Sequence, residues 1–313
     1  MKALIRTFLA FALLLPLTTQ ARTWTSTDGK TLEAKFVSAT DSEVTLKRDS
    51  DGKQFTLPIS RLSNDDQIFI KEQANAKPDE PAKAEAEKKA IEGEYAKLIT
   101  GDWELAEHKK LPYAFFGGKD LDGSKKYPLV ISLHGKSDNN ENGKQIGFAR
   151  KFASDDNYSE RPCLILAPLC YQPHGGTGGG WDDAPGEETL DLVKKLVKKL
   201  PIVDEDRIYV IGYSMGGFGT WHFLQSESRL FAAGVPIAGY GRGVGKLRSM
   251  PIWSFHGAKD KVVSVEGARR CAEELKRSKV FKYTEYEEEG HSIPGKVVND
   301  EELHQWLFEQ KRR

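Results

Sequence analysis

The sequence predicts a doubly wound α/β domain with a mostly parallel sheet, preceded by a small β-barrel. Five short and nearly continuous apolar runs between residues 129 and 255 are typical of strands buried on both faces of a parallel sheet. Stretches with a helical apolar period lie between and after these runs, and such alternation indicates an α/β architecture. Ahead of them, residues 22–73 contain short β-branched runs separated by turn signals.

The α/β domain is expected to span residues 100–313. Its strands are predicted from apolar or β-branched runs too short for helices, and its helices from longer runs with one apolar face. The predicted strands are 129–133, 163–167, 208–211, 232–237, 252–255 and 281–287, and the predicted helices are 187–200, 218–225, 264–276 and 300–310.

Residues 1–21 have the layout of a secretory signal peptide. Lys2 and Arg6 precede an apolar run over 8–17, and small residues follow at 18–21. A single-span anchor is the alternative, but the run is short for a hydrocarbon layer of about 30 Å. We therefore expect an exported protein, periplasmic or extracellular, with no membrane span after removal of the signal.

Residues 22–73 are expected to form the barrel, with hairpin turns at Asp28-Gly29 and Asp51-Gly52. Trp24 is either a core residue of this barrel or a platform for a ligand.

Residues 74–99 are rich in Ala, Lys, Glu and Pro, which predicts a solvated linker, helical in part over 82–98.

The N-terminal segment resembles the Sla homology domain (SHD type), an SH3-like module. The resemblance implies an accessory domain with a possible protein partner. It rests on these motifs: Arg22-x-Trp24, Asp28-Gly29-Lys30, Glu33-Ala34-x-Phe36, Val44-x-Leu46, Asp51-Gly52-Lys53, Leu57-Pro58-Ile59 and Leu62-Ser63-x-Asp65.

Composition excludes several classes of protein. The 46 Lys and Arg residues balance the 46 Asp and Glu residues, so no basic field indicates a nucleic-acid partner. Only three cysteines occur (Cys163, Cys170 and Cys271), which is an odd number and too few for a disulfide scaffold, so we expect buried free thiols. No Cys/His set has zinc spacing, and no cofactor or metal is implied.

The strongest chemical signal is Gly212-Tyr213-Ser214-Met215-Gly216, which follows a predicted strand and precedes a predicted helix. A Gly-x-Ser-x-Gly run in this setting is typical of a nucleophile elbow, in which a strained turn exposes the serine oxygen above the sheet edge. Five residues alone would be weak evidence. The flanking strand and helix make Ser214 the predicted nucleophile.

A serine nucleophile needs a base and a carboxylate that orients the base. Asp260 follows the predicted strand 252–255, and His291 follows the strand 281–287, so both lie in loops beyond strand ends and in the order Ser, Asp, His. Asp204 and Asp206 precede a strand and lie at the wrong end. Of the other histidines, His222 and His304 fall on helices and His256 is expected to be structural.

The backbone N–H groups of Met215 and Lys136 are predicted to form an oxyanion hole, because Lys136 follows the strand 129–133 and Met215 follows the nucleophile. The glycine-rich run 175–180 lacks the Lys-Ser/Thr of a phosphate loop and is expected to cover the active-site mouth. The candidates for lining the substrate pocket are His134, Tyr213 and Trp181, with Asp182 beside them.

With these motifs in place, residues of about 110–313 resemble the bacterial carboxylesterase and predicted-peptidase group of α/β-hydrolases, which borders on dienelactone hydrolases and prolyl oligopeptidases. The resemblance implies the triad Ser214, Asp260 and His291. It rests on Asp206-Arg207-Ile208-Tyr209, Gly212–Trp221, Phe255–Asp260 and Gly290-His291. The segments 134–139 and the loop after His291 depart from the group, which puts the substrate pocket in doubt.

Together these features predict a serine hydrolase that cleaves carboxylic esters of small molecules or of acylated polymers through an acyl-enzyme. Two alternatives stay open: a serine peptidase of the prolyl oligopeptidase type, and a catalytically silent binding protein that acts through its SHD-type module.

Overall fold

The computed structural model describes residues 21–40, 42–75, 88–136, 141–174 and 179–312. The predicted signal peptide, except Ala21, and residues 76–87 of the predicted linker lie outside the described residues. The chain divides into two compact units, residues 1–86 and 87–313.

The first unit contains a four-stranded antiparallel sheet in the order β1-β2-β3-β4, followed by helix α1. The Trp24 indole is buried, stacks on Phe36 and donates a hydrogen bond to the carbonyl of Ala34 at 2.9 Å, so it is a core residue. The elements are β1 Arg22–Thr25, β2 Thr31–Ala39, β3 Glu43–Arg48, β4 Gln54–Pro58 and α1 Asn64–Asn75.

The second unit is built on an eight-stranded sheet in the order β12-β11-β10-β9-β7-β8-β6-β5. Strands β7 to β12 run parallel to one another, and β5 and β6 add an antiparallel edge. The strands are β5 Trp103–His108, β6 Leu111–Phe116, β7 Tyr127–Leu133, β8 Leu164–Pro168, β9 Val203–Tyr213, β10 Ala233–Ile237, β11 Ile252–Gly257 and β12 Phe281–Tyr286.

Helices cover both faces of this sheet, as the doubly wound prediction requires. They are α2 Asp155–Glu160, α3 Ala184–Lys199, α4 Met215–Ser226, α5 Val265–Leu275, α6 Pro294–Val298 and α7 Glu301–Glu309. Strand residues alternate between two apolar cores: Leu129 and Ile131 of β7 belong to one, with α3, α4 and α5, whereas Val130 belongs to the other, with α7. The mostly parallel α/β sheet predicted from the apolar runs is therefore confirmed.

Residues 88–99 pack onto this second unit, where the sequence predicted linker. Tyr95 and Leu98 are buried in its core, and over 88–98, the described part of the expected helix, a 3-10 turn forms at Ala96–Leu98 and no α-helix. Gly93, with φ of 111°, takes a left-handed conformation that interrupts a helix, and a side chain there would collide with the carbonyl of Lys199.

The three cysteines are buried free thiols, as expected. Burial raises the pKa of Cys170 and Cys271 to about 11, so these thiols stay protonated and unreactive at neutral pH. No helix in the described part of the chain combines the length and apolar composition that a membrane span needs.

Candidate active site

Ser214 occupies a strained turn between β9 and α4. Its φ of 54° and ψ of −114° lie outside the regions that L-residues ordinarily adopt, at a cost of about 1–3 kcal/mol. The turn closes because Gly212 and Gly216 carry no side chain: a Cβ on Gly212 would collide with the carbonyl of Gly216, and one on Gly216 with the carbonyl of Leu133. The glycines at both positions are thus explained by backbone contacts.

The structure brings Ser214, His291 and Asp260 together from three different loops at the carboxyl edge of the sheet. The His291 Nε2 atom lies 2.9 Å from Ser214 Oγ, and His291 Nδ1 lies 2.7 Å from Asp260 Oδ2. Because the carboxylate accepts, the Nδ1 atom carries the proton and Nε2 is left to accept from the serine hydroxyl. This tautomer is the one in which an imidazole can take a proton from a nucleophile.

The Asp260 carboxylate is enclosed, with no exposed side-chain surface. Its Oδ1 atom accepts hydrogen bonds from the backbone N–H groups of Val262 (2.8 Å) and Val263 (2.9 Å). Burial acts to raise the pKa of Asp260, but hydrogen bonds from His291 and from these amides outweigh it, so the pKa is lowered. Asp260 is therefore an anion that faces the imidazole at neutral pH.

His256 lies closer to this network than the sequence indicated. It occupies β11, is fully buried, and its Nε2 atom donates to the carbonyl of Val263 at 3.0 Å. The same nitrogen lies 3.3 Å from Asp260 Oδ2. Burial lowers the pKa of His256, which favours the neutral ring. The other two histidines that were weighed against His291 as the base lie elsewhere. His304 is buried on α7 beside Phe152, and His222 lies on α4.

The two predicted oxyanion donors belong to segments that meet at the elbow. Met215 is the first residue of α4, where backbone N–H groups have no acceptor within the helix. Lys136 follows β7, whose last residue, Leu133, pairs with Gly212. Gly135 packs against Tyr213, which brings the segment 134–136 beside the elbow.

Of the three pocket candidates, Tyr213 is the one whose ring packs beside that of His291. Its ring centroid is 5.1 Å from that of His291, and burial raises the pKa of its hydroxyl, which stays protonated. His134 is engaged by the backbone: its Nδ1 atom donates to the carbonyl of Gly135 at 2.7 Å, and its Nε2 atom accepts from the N–H of Cys170 at 2.9 Å. His134 therefore orders two loops and has no ring nitrogen to offer a substrate.

Trp181 was wrongly expected at the substrate pocket. Its indole is fully buried in the core, 5.3 Å from the His134 ring between centroids, and a Cβ on Gly219 of α4 would meet it. The neighbouring Asp182 is exposed and lines a small cavity of about 110 Å³ with residues of α4 and of the loop after β10. The remaining lining residues are Phe218, Trp221, His222, Gln225, Tyr240, Gly241 and Arg242.

A second group of polar side chains lies in the loop between β8 and α3. His174 Nε2 is 3.2 Å from Asp182 Oδ1 and 3.1 Å from Asp183 Oδ2, a donor set that divalent cations also use. The imidazole thus lies within hydrogen-bonding distance of both carboxylates. Residues 175–178 of the glycine-rich run, predicted to cover the site, lie outside the described residues.

The proteins to which this chain is similar include esterases and peptidases. Residues 178–242, which include the elbow and α4, match the model of the prolyl oligopeptidase family. Among solved structures, a thermostable esterase is 32% identical and superimposes with a TM-score of 0.62, covering 69% of this chain and 64% of that one. The chain has the α/β-hydrolase fold. The chain is similar to this esterase and, over the elbow and α4, to that peptidase family.

Curated relatives of both kinds are found. A bifunctional acetylxylan esterase/xylanase of Neocallimastix patriciarum is 30% identical over 145 residues, which is 44% of this chain and 20% of that protein. A dipeptidyl peptidase family member of Caenorhabditis elegans is 29% identical over 130 residues, 38% of this chain and 15% of the relative. The chain thus spans a fifth or less of the length of these relatives.

An S-formylglutathione hydrolase from Staphylococcus aureus shares the fold, with a TM-score of 0.51 at 12% identity.

Proposed function

We propose that this protein is a serine hydrolase that cleaves carboxylic esters through Ser214, His291 and Asp260. One observation carries the proposal: the continuous contact from Ser214 Oγ to His291 Nε2 (2.9 Å) and from His291 Nδ1 to Asp260 Oδ2 (2.7 Å). A strained serine in line with an imidazole and a buried carboxylate is the arrangement that nucleophilic acyl transfer requires.

The reaction begins when His291 Nε2 takes the proton of the Ser214 hydroxyl as Oγ attacks the ester carbonyl carbon. The Asp260 carboxylate stabilises the imidazolium that results. In the tetrahedral intermediate the carbonyl oxygen becomes an anion, held by the N–H groups of Met215 and Lys136; losing one such donor typically costs about 10²–10³ in rate.

The imidazolium then returns its proton to the alcohol oxygen as the C–O bond breaks, leaving an acyl ester on Ser214. Water enters, His291 takes one of its protons, and the hydroxide oxygen attacks the acyl carbon. Collapse of this second intermediate releases the carboxylic acid and restores the Ser214 hydroxyl. Every proton in the cycle passes through the Nε2 atom of His291.

An ester is the preferred substrate because the esterase structure is 32% identical over 69% of the chain, whereas a structure of the dipeptidyl aminopeptidase IV type that covers 91% of the chain is only 15% identical. The acetylxylan esterase relative supports acylated carbohydrate as one class of ester, beside small acyl esters. A serine peptidase is the second candidate, supported by the prolyl oligopeptidase model over the elbow region and by the dipeptidyl peptidase relatives.

The nucleophile is tested by Ser214→Ala, which removes Oγ. We expect p-nitrophenyl acetate turnover to fall by about 10⁶-fold in kcat, as when a triad serine is removed, and labelling by a fluorophosphonate probe to disappear. Ser228→Ala changes a serine in the loop after α4 and is the matched control. Full activity or labelling in Ser214→Ala would contradict the proposal.

Ester and peptide substrates are separated by comparing kcat/KM for p-nitrophenyl esters, acetylated xylan and dipeptidyl p-nitroanilides. We expect ester hydrolysis to exceed anilide hydrolysis by at least about two orders of magnitude, since an alcohol is a much better leaving group than an amine. A higher kcat/KM for the anilides would establish the peptidase instead.

We further propose that the protein is exported and that residues 22–73 form an SH3-like module of the SHD type that binds a protein partner. The charged and apolar layout of residues 1–21 and the buried Trp24 and Phe36 within an antiparallel sheet support this. N-terminal sequencing of protein from the culture fluid or periplasm, and capture of partners by residues 22–73, test the two parts.

A further inference from the structure

We propose that His256 is a positioning residue for the Asp260 carboxylate, acting on the reaction through Asp260 and His291. The inference rests on the proposed ester hydrolysis, since His256 has no contact with Ser214. It starts from the placement of two imidazoles on one carboxylate oxygen: His291 Nδ1 lies 2.7 Å and His256 Nε2 lies 3.3 Å from Asp260 Oδ2.

The Asp260 carboxylate is held at both of its oxygens. The backbone N–H groups of Val262 and Val263 donate to Oδ1, whereas the two histidine rings lie on Oδ2. A carboxylate without exposed surface needs several donors to stay charged, and its orientation follows those donors. Of the residues that lie within 3.3 Å of this carboxylate, His256 is the one that belongs to the sheet.

His256 also fixes the loop that supplies the other donors. Its Nε2–H group donates to the carbonyl of Val263 at 3.0 Å, and Val263 itself donates to Asp260 Oδ1. The ring is fully buried on β11, a central strand of the sheet. The loop 258–263 is therefore tied to a rigid element at the residue that binds the carboxylate.

The surroundings of His256 favour the neutral ring with the proton on Nε2. The charged or titratable groups that face it are Asp260, His291 and Glu285, and Glu285 on β12 is ion-paired with Arg269. The Nδ1 atom of His256 has no hydrogen-bond partner among the described residues. The one hydrogen bond that the His256 ring makes in the described part of the chain is thus to the loop that contains Asp260.

A second buried histidine provides a matched control. His304 is also almost fully buried, its Nε2 atom donates to the backbone carbonyl of Val298 at 2.7 Å, and its Nδ1 atom has no partner in the described part of the chain. The two residues differ in that His256 touches the carboxylate. A purely structural role predicts the same consequences for both.

The kinetic test compares His256→Leu, His256→Gln and His304→Leu in the full chain with p-nitrophenyl acetate. We expect His256→Leu to lower kcat by about 10²-fold, the usual cost of misplacing a reacting group by an ångström, with KM changed less than about 2-fold. The glutamine amide keeps an N–H donor, so His256→Gln should recover to within about 5-fold of the parent. His304→Leu should keep the parent kcat.

Equal kcat values for His256→Leu and His304→Leu at equal thermal stability would overturn the proposal. So would a failure of His256→Gln to recover more than His256→Leu. If His256→Leu does not fold, His256→Met replaces it, because an unbranched chain of similar length fills the same space.

A spectroscopic measurement separates this proposal from the proposed function. The proton between His291 Nδ1 and Asp260 Oδ2 should give a far-downfield proton resonance that disappears in His291→Ala, even if no tested ester is hydrolysed. We expect His256→Leu to shift or broaden this resonance and His304→Leu to leave it unchanged. A resonance unaffected by His256→Leu would overturn the positioning role, whereas absent ester turnover with a shifted resonance would count against the proposed substrate alone.

Discussion

At the residue scale, Asp260 shows how a buried carboxylate stays charged. Its side chain has no exposed surface, yet two backbone N–H groups and the His291 ring hydrogen-bond to it. Because these donors outweigh the desolvation, the pKa of Asp260 in the folded protein is lowered below its value in the unfolded chain, about 3.9. Its charge therefore contributes to stability as well as to the orientation of the imidazole.

Asp260→Asn tests both contributions. Losing the charge that orients and stabilises the His291 imidazolium should lower kcat at pH 7 by about 10⁴-fold. Since the folded pKa is depressed, the charge stabilises the protein above pH 3.9 and this stabilisation is lost as pH falls through the folded pKa. We expect the parent to exceed the variant in unfolding free energy at pH 7, and the difference to shrink below about pH 4.

Urea denaturation of both proteins at pH 7 and pH 3 measures this difference. An unchanged difference at the two pH values would show that the Asp260 charge adds nothing to stability.

At the element scale, helix α4 is held against the sheet and the neighbouring loop at glycine contacts. Gly216 approaches the end of β7, and Gly219 receives the ring of Trp181. The Trp181 indole also contacts Phe223 in an edge-to-face arrangement with centroids 6.4 Å apart. The ring therefore fills space between the loop before α3 and the helix that carries the nucleophile.

Trp181→Ala should destabilise the protein by about 3–5 kcal/mol, because it leaves a large cavity in a fully buried site. KM for a small ester should change little, since the indole lies in the core and not at the substrate. Thermal or urea unfolding and steady-state kinetics check the two expectations. Trp181→Phe, which keeps much of the packing, is the control. A large rise in KM with unchanged stability would restore the pocket role.

At the scale of the whole molecule, the two units have separate apolar cores. The first is centred on Trp24, Phe36 and Leu46, and the second lies on the two faces of the eight-stranded sheet. Ser214, Asp260 and His291 all belong to the second unit. The three proposed reacting residues therefore lie in one unit.

A fragment of residues 87–313 should fold and keep kcat/KM for p-nitrophenyl acetate within about 3-fold of the full chain, because it contains its own core and all three proposed reacting residues. Circular dichroism and steady-state kinetics measure this, with Ser214→Ala in the same fragment as the blank. A folded fragment with more than tenfold lower activity would assign residues 1–86 a part in the reaction.

Much of the fold was predictable because parallel strands buried on both faces leave continuous apolar runs. The runs at 129–133, 208–211 and 252–255 fall within β7, β9 and β11. The hairpin β5–β6 was missed: its turn, with Lys109 at φ of 55°, contains none of the usual turn residues. The packing of residues 88–99 was also missed, because a few buried side chains in a charged stretch leave no periodic pattern.

The sequence by itself determined the elbow around Ser214, the proposed nucleophile, since an elbow is local: strand, glycine, serine, glycine and helix are consecutive, and each glycine is required by a backbone contact within or beside the turn. The sequence also predicted that Asp260 and His291 would lie near Ser214, because loops at the carboxyl ends of parallel strands share one edge of the sheet.

Only the tertiary structure decided which other side chains touch these three. It placed Trp181 in the core and directed both ring nitrogens of His134 to the backbone. It also set His256 beside Asp260. These contacts join residues across loops that fold back, and their geometry depends on packing distances of a few tenths of an ångström, which no pattern of residue types along a chain specifies.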